Sequence, residues 1–296
     1  MNSGMVYLVG AGPGDAGLMT VKGLGLLQRA DVVVYDRLVD EGLLSNVRND
    51  AELIYVGKSS GEHTVAQSDI NKILVAKAKE GKSVIRLKGG DPMVLGRGGE
   101  EAKALFKHKI SFAVVPGVTS AIAVPEYAGI PVTHRGLAAS FAVVTGHEDP
   151  AKGESSVEWG ELASAADTLV CLMGMGNLAA IVDEMLRGGR SPETPVALIR
   201  DGTTPRQRTV VGTLSTIVKQ AERAKLKPPV VIVVGEVVNL RKRLAWFDKQ
   251  PLFGKRVLVT RSRAQASMLS RLLAERGAEA VELAVIEIKE LADTSE

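Results

Sequence analysis

A chain of 296 residues that is 45% hydrophobic and 24% charged can bury more than one core, and nothing in its composition is fibrous or disordered. Net charge is only +3, basic residues are scattered and aromatics make up 4%, which argues against a nucleic-acid partner. The single cysteine, Cys171 in the apolar run TLVCLM, excludes an internal disulfide framework. No apolar run reaches membrane-spanning length and no signal-peptide pattern opens the chain, so the expectation is a soluble cytoplasmic protein with no membrane partner.

Short β-branched runs alternate with helical segments, the pattern of α/β layering. Strands are predicted at Met5–Val9, Val32–Tyr35, Leu53–Val56, Val84–Leu87 and Phe112–Val115, with helices over Thr20–Arg29 and Ser68–Glu80. From Pro116 to His134 the register changes, and a short helix near Ala121–Ala128 reads as a hinge. Strands resume at Phe141–Thr145, Thr168–Met173, Pro195–Ile199, Arg208–Gly212 and Val230–Val234, with a long helix over Gly174–Gly188. This second half suits a partly antiparallel sheet. Arg241-Lys242-Arg243 reads as a solvated helix face. Beyond a boundary in Trp246–Gly254 lie a strand at Lys255–Thr260, a helix over Arg263–Arg276 and a strand at Ala280–Ile288, too small a unit to build its own core. The expected organisation is two α/β domains (1–116 and 117–246), a linker (247–254) and a β-α-β fragment (255–296).

Near the N-terminus VYLVGAGPGDAG, Val6–Gly17, follows a strand, and Asp36 closes the next strand 22 residues beyond Gly14. That nearly matches the dinucleotide fingerprint, in which glycines admit a pyrophosphate and an acid binds ribose. The match fails at the third glycine, where Pro13, Gly14 and Asp15 follow Gly12, and an aspartate there opposes a pyrophosphate at a helix start. A ligand-facing loop of another kind and a plain structural turn both remain open.

The most informative stretch is RLKGGDPMVLGRGGEE, Arg86–Glu101. A strand runs into paired glycines, which let a backbone approach a ligand closely. Asp91 suits a ligand ammonium or hydroxyl group. A second glycine cluster brackets Arg97 and leads into the acidic start of a helix at Glu100-Glu101.

Together with VGAGPGD, YDRLV (Tyr35–Val39), PGVTSAIAVP (Pro116–Pro125), AGIPVTHR (Ala128–Arg135), VTGH (Val144–His147) and LMGM (Leu172–Met175), this stretch resembles the tetrapyrrole methylases from Val6 to Trp246. From Lys255 the tail is similar to the first β-α-β of the uroporphyrinogen-III synthases. The resemblance implies two α/β domains with a ligand cleft between them, and transfer of two methyl groups from S-adenosylmethionine to uroporphyrinogen III, giving precorrin-2 for sirohaem or corrinoids. It also implies a homodimer.

Carried onto this sequence, the donor site comprises Pro13, Gly89, Gly90, Asp91, Val94, Thr119, Ser120, Met173 and Gly202, with Ala197 and Leu198 lining the adenine through their backbone. The resemblance makes Asp36 the proton acceptor and Lys58 the proton donor. An acceptor carrying eight carboxylates calls for arginines, whose planar forks bind carboxylates bidentately. Arg37, Arg97 and Arg135 are the candidates, with Glu100 orienting Arg97 or contacting pyrrole N–H groups. His134 is read as a satisfied loop histidine, and no metal-ligand spacing is present. Ser59, Met93 and Leu95 replace an arginine and two phenylalanines of the family pattern, which bears on substrate affinity and the number of methylations. Three other readings stay open: methylation of a later corrinoid precursor, a nicotinamide dehydrogenase using the N-terminal loop, and a non-catalytic tetrapyrrole-binding module.

Overall fold

The computed structural model describes residues 4–57, 65–147, 157–260, 263–283 and 285, with the backbone alone for 263–267. The first half holds β1 (Met5–Gly10), α1 (Val21–Leu27), β2 (Val32–Tyr35), α2 (Glu41–Leu44), β3 (Glu52–Tyr55), α3 (Gln67–Lys79), β4 (Ser83–Lys88), α4 (Gly98–Lys107) and β5 (Ser111–Val115). Its five strands lie in the order β3-β2-β4-β1-β5, every pair parallel. Parallel strands need crossovers and are covered on both faces, so they read as continuous apolar runs. In β2, Val32 and Val34 enter the core with Leu74 and Leu105 from α3 and α4, while Val33 enters the opposite core with Leu27. All five carboxyl ends share one edge of the sheet, where open α/β sheets bind ligands.

The second half contributes α5 (Ser120–Tyr127), β6 (Phe141–Thr145), α6 (Trp159–Ala165), β7 (Thr168–Leu172), α7 (Leu178–Arg187), β8 (Pro195–Arg200), β9 (Arg208–Thr213), α8 (Ile217–Arg223) and β10 (Val230–Val234). These strands order as β6-β7-β10-β8-β9, with β6–β7 parallel and the other pairs antiparallel. Alternate residues of β7, β8 and β10 again divide between two cores: Leu169, Leu198 and Ile232 face α7 and α8, and Val170, Ala197 and Val233 face α5. The expected hinge helix is therefore no free connector, since Ala121 and Val124 of α5, with Ala128 just after it, are built into the second sheet's core.

Several expectations change in detail. The long helix after β7 is a 3-10 turn at Met175–Asn177 followed by α7, because Gly174 packs directly on Cys171. Helices α2, α6 and α8, four to seven residues each, were not anticipated. α9 (Arg241–Leu244) is no simple solvated face: Arg241 donates to the Ala128 carbonyl and pairs with Asp248, binding the chain after β10 to the end of α5. The tail forms β11 (Arg256–Val259), α10 (Arg263–Ala274) and β12 (Glu279–Glu282), with the two strands parallel. The expected strand at Ala280–Ile288 is described only in its first part, since residue 284 and residues 286–296 lie outside the described residues. Phe253 stacks edge-on with Phe247, itself packed against Tyr127, and Arg206 pairs with Glu279 at 2.7 Å, so the tail docks on the second half of the chain.

Two predictions follow from this packing. A Cβ at Gly25, inside α1, would meet nothing within 4 Å. Gly25→Ala is expected to stabilise the chain by about 0.5–1 kcal/mol through helix propensity and a less flexible unfolded chain, read by urea denaturation; a destabilised variant contradicts this. Cys171 has no exposed surface, and burial pushes its thiol up to about 12. The native protein should therefore resist thiol reagents at neutral pH and react fully once unfolded.

Candidate active site

The site is built first from backbone. After β1, β4 and β5 the chain carries Gly10, Gly89-Gly90 and Gly117, and these three turns touch. A Cβ at Gly117 would lie 2.3 Å from the Gly90 carbonyl oxygen and 2.6 Å from the Gly10 Cα, and one at Gly10 would lie 2.5 Å from the Gly117 Cα. No other residue type fits at either position. Gly90, at φ 68°, donates its N–H to the Gly12 carbonyl at 2.6 Å, and Gly12 donates back at 3.2 Å. One antiparallel bridge thus closes the N-terminal loop onto the 89–91 turn.

Asp91 fastens this arrangement. Its Oδ1 accepts from the Met93 and Val94 N–H groups at 2.8 and 3.1 Å, and its Oδ2 accepts from the Gly117 N–H at 3.0 Å. The sequence reading has the Asp91 carboxylate suit a ligand amine or hydroxyl; in the fold its two oxygens also accept from three backbone donors. Asp91 thereby presents the glycine backbone around it. On the far side of Gly90 stands the start of α5, where Thr119 Oγ1 caps the Ala121 N–H at 3.3 Å. A Cβ at Gly90 would find its nearest neighbours, Ser120 N and Thr119 Cα, at 3.7 and 3.9 Å. Here the backbones of Gly89–Asp91, Thr119 and Ser120 come together at ordinary van der Waals spacing on the strand-end edge.

The second half of the chain closes on this edge through the loop after β8. Gly202 packs so tightly on Val124 of α5 that a Cβ would lie 2.4 Å from Val124 Cγ1. Thr203 accepts the Asp15 N–H at 3.1 Å through Oγ1, while Tyr127 donates its hydroxyl to Asp15 Oδ2 at 2.8 Å. Asp15 also caps the 3-10 turn at Ala16–Leu18. The aspartate that spoiled the dinucleotide fingerprint thus joins the two halves and holds the glycine loop to the second one. Met173, 52% exposed at φ 58°, stands at the end of β7 outside the core, as an apolar wall would. Ala197 and Leu198 have no exposed surface, and β8 is paired on both sides, so the expected backbone contacts to an adenine are not available there. Pro13 is half-buried and Val94 is 37% exposed.

Beside this edge lies a cluster of charge. Leu38, in the loop after β2, packs its Cβ where a Gly89 side chain would be, 2.6 Å from that position. The loop places Asp36 there, its Oδ1 accepting from the Leu38 N–H at 3.1 Å and its Oδ2 bound to Arg86 Nη2 at 3.0 Å. Arg86 is buried in β4; its Nη1 donates to the Leu87 carbonyl at 2.9 Å and its Nε to Glu101 Oε1 at 3.0 Å. Lys88, two residues on and so on the same face, donates to the same oxygen at 3.0 Å. Burial and the Arg86 charge hold the Lys88 ammonium below the ordinary lysine range. Sequence reading passed over Arg86, Lys88 and Glu101. The available signal was two cations at alternate positions in an otherwise apolar central strand, which must find buried partners.

Arg97 takes φ 58° ahead of α4 and forms a bidentate pair with Glu100, both bonds 2.8 Å. Both side chains are more than half exposed. Arg37 is exposed next to Asp36. Arg135 is exposed in the 134–138 turn, where His134 Nδ1 contacts the Arg135 carbonyl at 2.9 Å, and no contact among the described residues joins it to the 89–97 loop. Lys58 and Ser59 lie outside the described residues. Among the described residues no His, Cys, Asp and Glu side chains group to hold a metal ion, and no helix is long and apolar enough to cross a membrane.

Two α/β halves meeting over glycine-lined strand ends, with the Asp36–Arg86 pair beside them, define an α/β protein outside the dinucleotide-binding class. The profile of the tetrapyrrole (corrin/porphyrin) methylases matches residues 5–218. The uroporphyrinogen-III C-methyltransferase of Methanocaldococcus jannaschii is 59% identical over 239 residues, covering 80% of this chain and 98% of that protein. A Bacillus subtilis protein of the same name is 45% identical over 282 residues; that match takes in 95% of this chain, which spans 58% of the relative. The crystal structure of uroporphyrin-III C-methyl transferase from Thermus thermophilus complexed with S-adenyl homocysteine has a TM-score of 0.69 at 42% identity, covering 80% of this chain and 94% of that one. The chain belongs to the tetrapyrrole methylase family.

Asp91→Asn retains an acceptor for the 93–94 turn but turns an N–H donor toward the Gly117 N–H. It is expected to cost about 1–3 kcal/mol in urea unfolding, because a hydrogen bond to a charged group is replaced by two facing donors. An unchanged midpoint contradicts the fastening role.

Proposed function

We propose that the chain transfers methyl groups from S-adenosylmethionine to carbon atoms of uroporphyrinogen III, twice, giving precorrin-2. One observation carries this reading: Leu38 packs on Gly89, so the loop bearing Asp36 and the glycine turn that suits the donor form one continuous wall. A carboxylate is thereby set beside the place where a methyl group would be delivered. The relatives' names and the S-adenosyl homocysteine complex support the donor and the substrate class.

Bound S-adenosylmethionine supplies an electrophilic methyl group. The backbone of Gly89–Asp91, with Pro13, Val94, Thr119, Ser120, Met173 and Gly202, holds it in the cleft, where small residues let the chain wrap a ligand. Met173 gives a soft apolar wall. Arg37, Arg97 and Arg135 orient the macrocycle through its carboxylates, Arg97 by giving up Glu100. Much of the rate enhancement then comes from alignment. The pyrrole carbon that gains a methyl group already carries a side chain and no hydrogen, so the cationic ring must lose a proton from a pyrrole N–H or a bridging carbon as it rearranges. Asp36 accepts it through the carboxylate that Arg86 and the Leu38 N–H keep in place. Lys58 returns a proton during rearrangement. We propose further that the chain works as a homodimer and that the 255–296 tail, a β-α-β segment docked on the second half, is synthase-like.

Incubation with uroporphyrinogen III and methyl-labelled S-adenosylmethionine should place label in a dimethylated product. Donor binding without transfer would instead favour a tetrapyrrole-binding module. Asp36→Ala should lower turnover at least about 100-fold while donor affinity stays within about twofold, as for loss of a general base. Undiminished turnover would remove Asp36 from the mechanism.

A further inference from the structure

Four charges line up from the core to the strand-end edge. Glu101 is 0% exposed, Arg86 3% and Lys88 5%, while the Asp36 side chain is 25% exposed. Glu101 Oε1 alone takes Arg86 Nε at 3.0 Å, Lys88 Nζ at 3.0 Å and Gln67 Nε2 at 3.3 Å, and its Oε2 has no hydrogen-bond partner among the described residues. The guanidinium of Arg86 is therefore gripped from behind by Glu101, braced by the Leu87 carbonyl, and presents Nη2 outward to Asp36. Two buried cations are balanced by one buried carboxylate and one at the surface, so neither carboxylate can be altered without changing what the other must balance.

We propose that Glu101 and Lys88 are positioning residues: Glu101 clamps Arg86, Lys88 holds and partly neutralises Glu101, and through Arg86 the pair fixes the orientation and the charge of Asp36. The inference rests on the proposed role of Asp36 only for its effect on turnover. The groups around Asp36 are Arg86 and Lys88 from β4, Glu101 from α4, the neutral Gln67 from α3, and Arg37 beside it in the chain. Electrostatic influence reaches as far as Lys88, whose ionisation is sensitive to Asp36 as well as to Glu101.

The signs are opposite for the two partners. Glu101→Gln keeps an oxygen for Arg86 and Lys88 but removes a negative charge, leaving Asp36 to face two cations. Its carboxyl should then hold its proton less tightly than in the parent. Lys88→Met removes a cation, leaves the Arg86–Glu101 pair intact and should act in the opposite direction. The measurement is carbon-13 NMR titration of the side-chain carboxyl of Asp36, assigned with Asp36→Asn, in the full chain with no substrate present. In turnover, the acidic limb of the kcat profile should move in parallel: to lower pH in Glu101→Gln and to higher pH in Lys88→Met. An Asp36 titration that stays in place, or moves the same way in both variants, overturns the inference. If Glu101→Gln does not fold, the direction in Lys88→Met decides alone, because that variant keeps the buried ion pair. Carboxyl shifts without a matching shift of the kcat limb would leave the positioning role standing and count against Asp36 as the base.

Discussion

The structure depends on a contact that has no side chains in it. Gly10, Gly90 and Gly117 bring three strand-end turns to within van der Waals distance of one another, so that the ends of β1, β4 and β5 become one surface. A parallel sheet places its carboxyl ends on one edge but leaves the loops there free to diverge. What prevents divergence is Asp91, whose carboxylate accepts from its own turn and from Gly117 across the edge. A backbone surface of this kind suits a ligand held by shape and amide groups, with charged side chains kept to the rim.

That rim is organised by the buried charges behind it. In β4 the alternation of a strand does two things at once: Leu87 enters one core, and Arg86 and Lys88 turn to the other face, where Glu101 on α4 meets them. Burying such groups is costly unless every charge is paired, and the pairing extends outward until it ends on Asp36. The same strand therefore supplies the glycine turn at its end and, two residues earlier, the cation that holds the carboxylate beside that turn. The placement of Asp36 and the burial of charge in the core are coupled through one element.

Much of this was legible in the sequence, for definite reasons. Strands of the first half announce themselves because a parallel sheet buried on both faces leaves continuous β-branched runs such as VVVY. The antiparallel character of the second sheet was foreshadowed by the spacing of Arg208–Gly212 and Val230–Val234. Short helices such as α2 and α6 were missed because one or two turns leave too few periodic positions to recognise. Asp91 illustrates the limit at the site. Its residue type fits a ligand amine, and only the fold reveals three backbone N–H groups converging on it. Glu101 was hidden for the converse reason: at the start of a helix, one of two adjacent glutamates reads as a solvated cap, while α4 in fact turns Glu100 to solvent and Glu101 into the core.

The central claim is that close backbone approach at the three glycines creates the donor site. It is tested most directly by calorimetric titration of S-adenosylmethionine into Gly117→Ala, alongside Gly176→Ala, where a Cβ meets nothing within 4 Å. The Gly117 variant should lose at least about tenfold in affinity, a change of about 1.4 kcal/mol, while the Gly176 variant binds within about twofold of the parent. A folded Gly117→Ala protein that binds the donor as tightly as the parent would contradict the account.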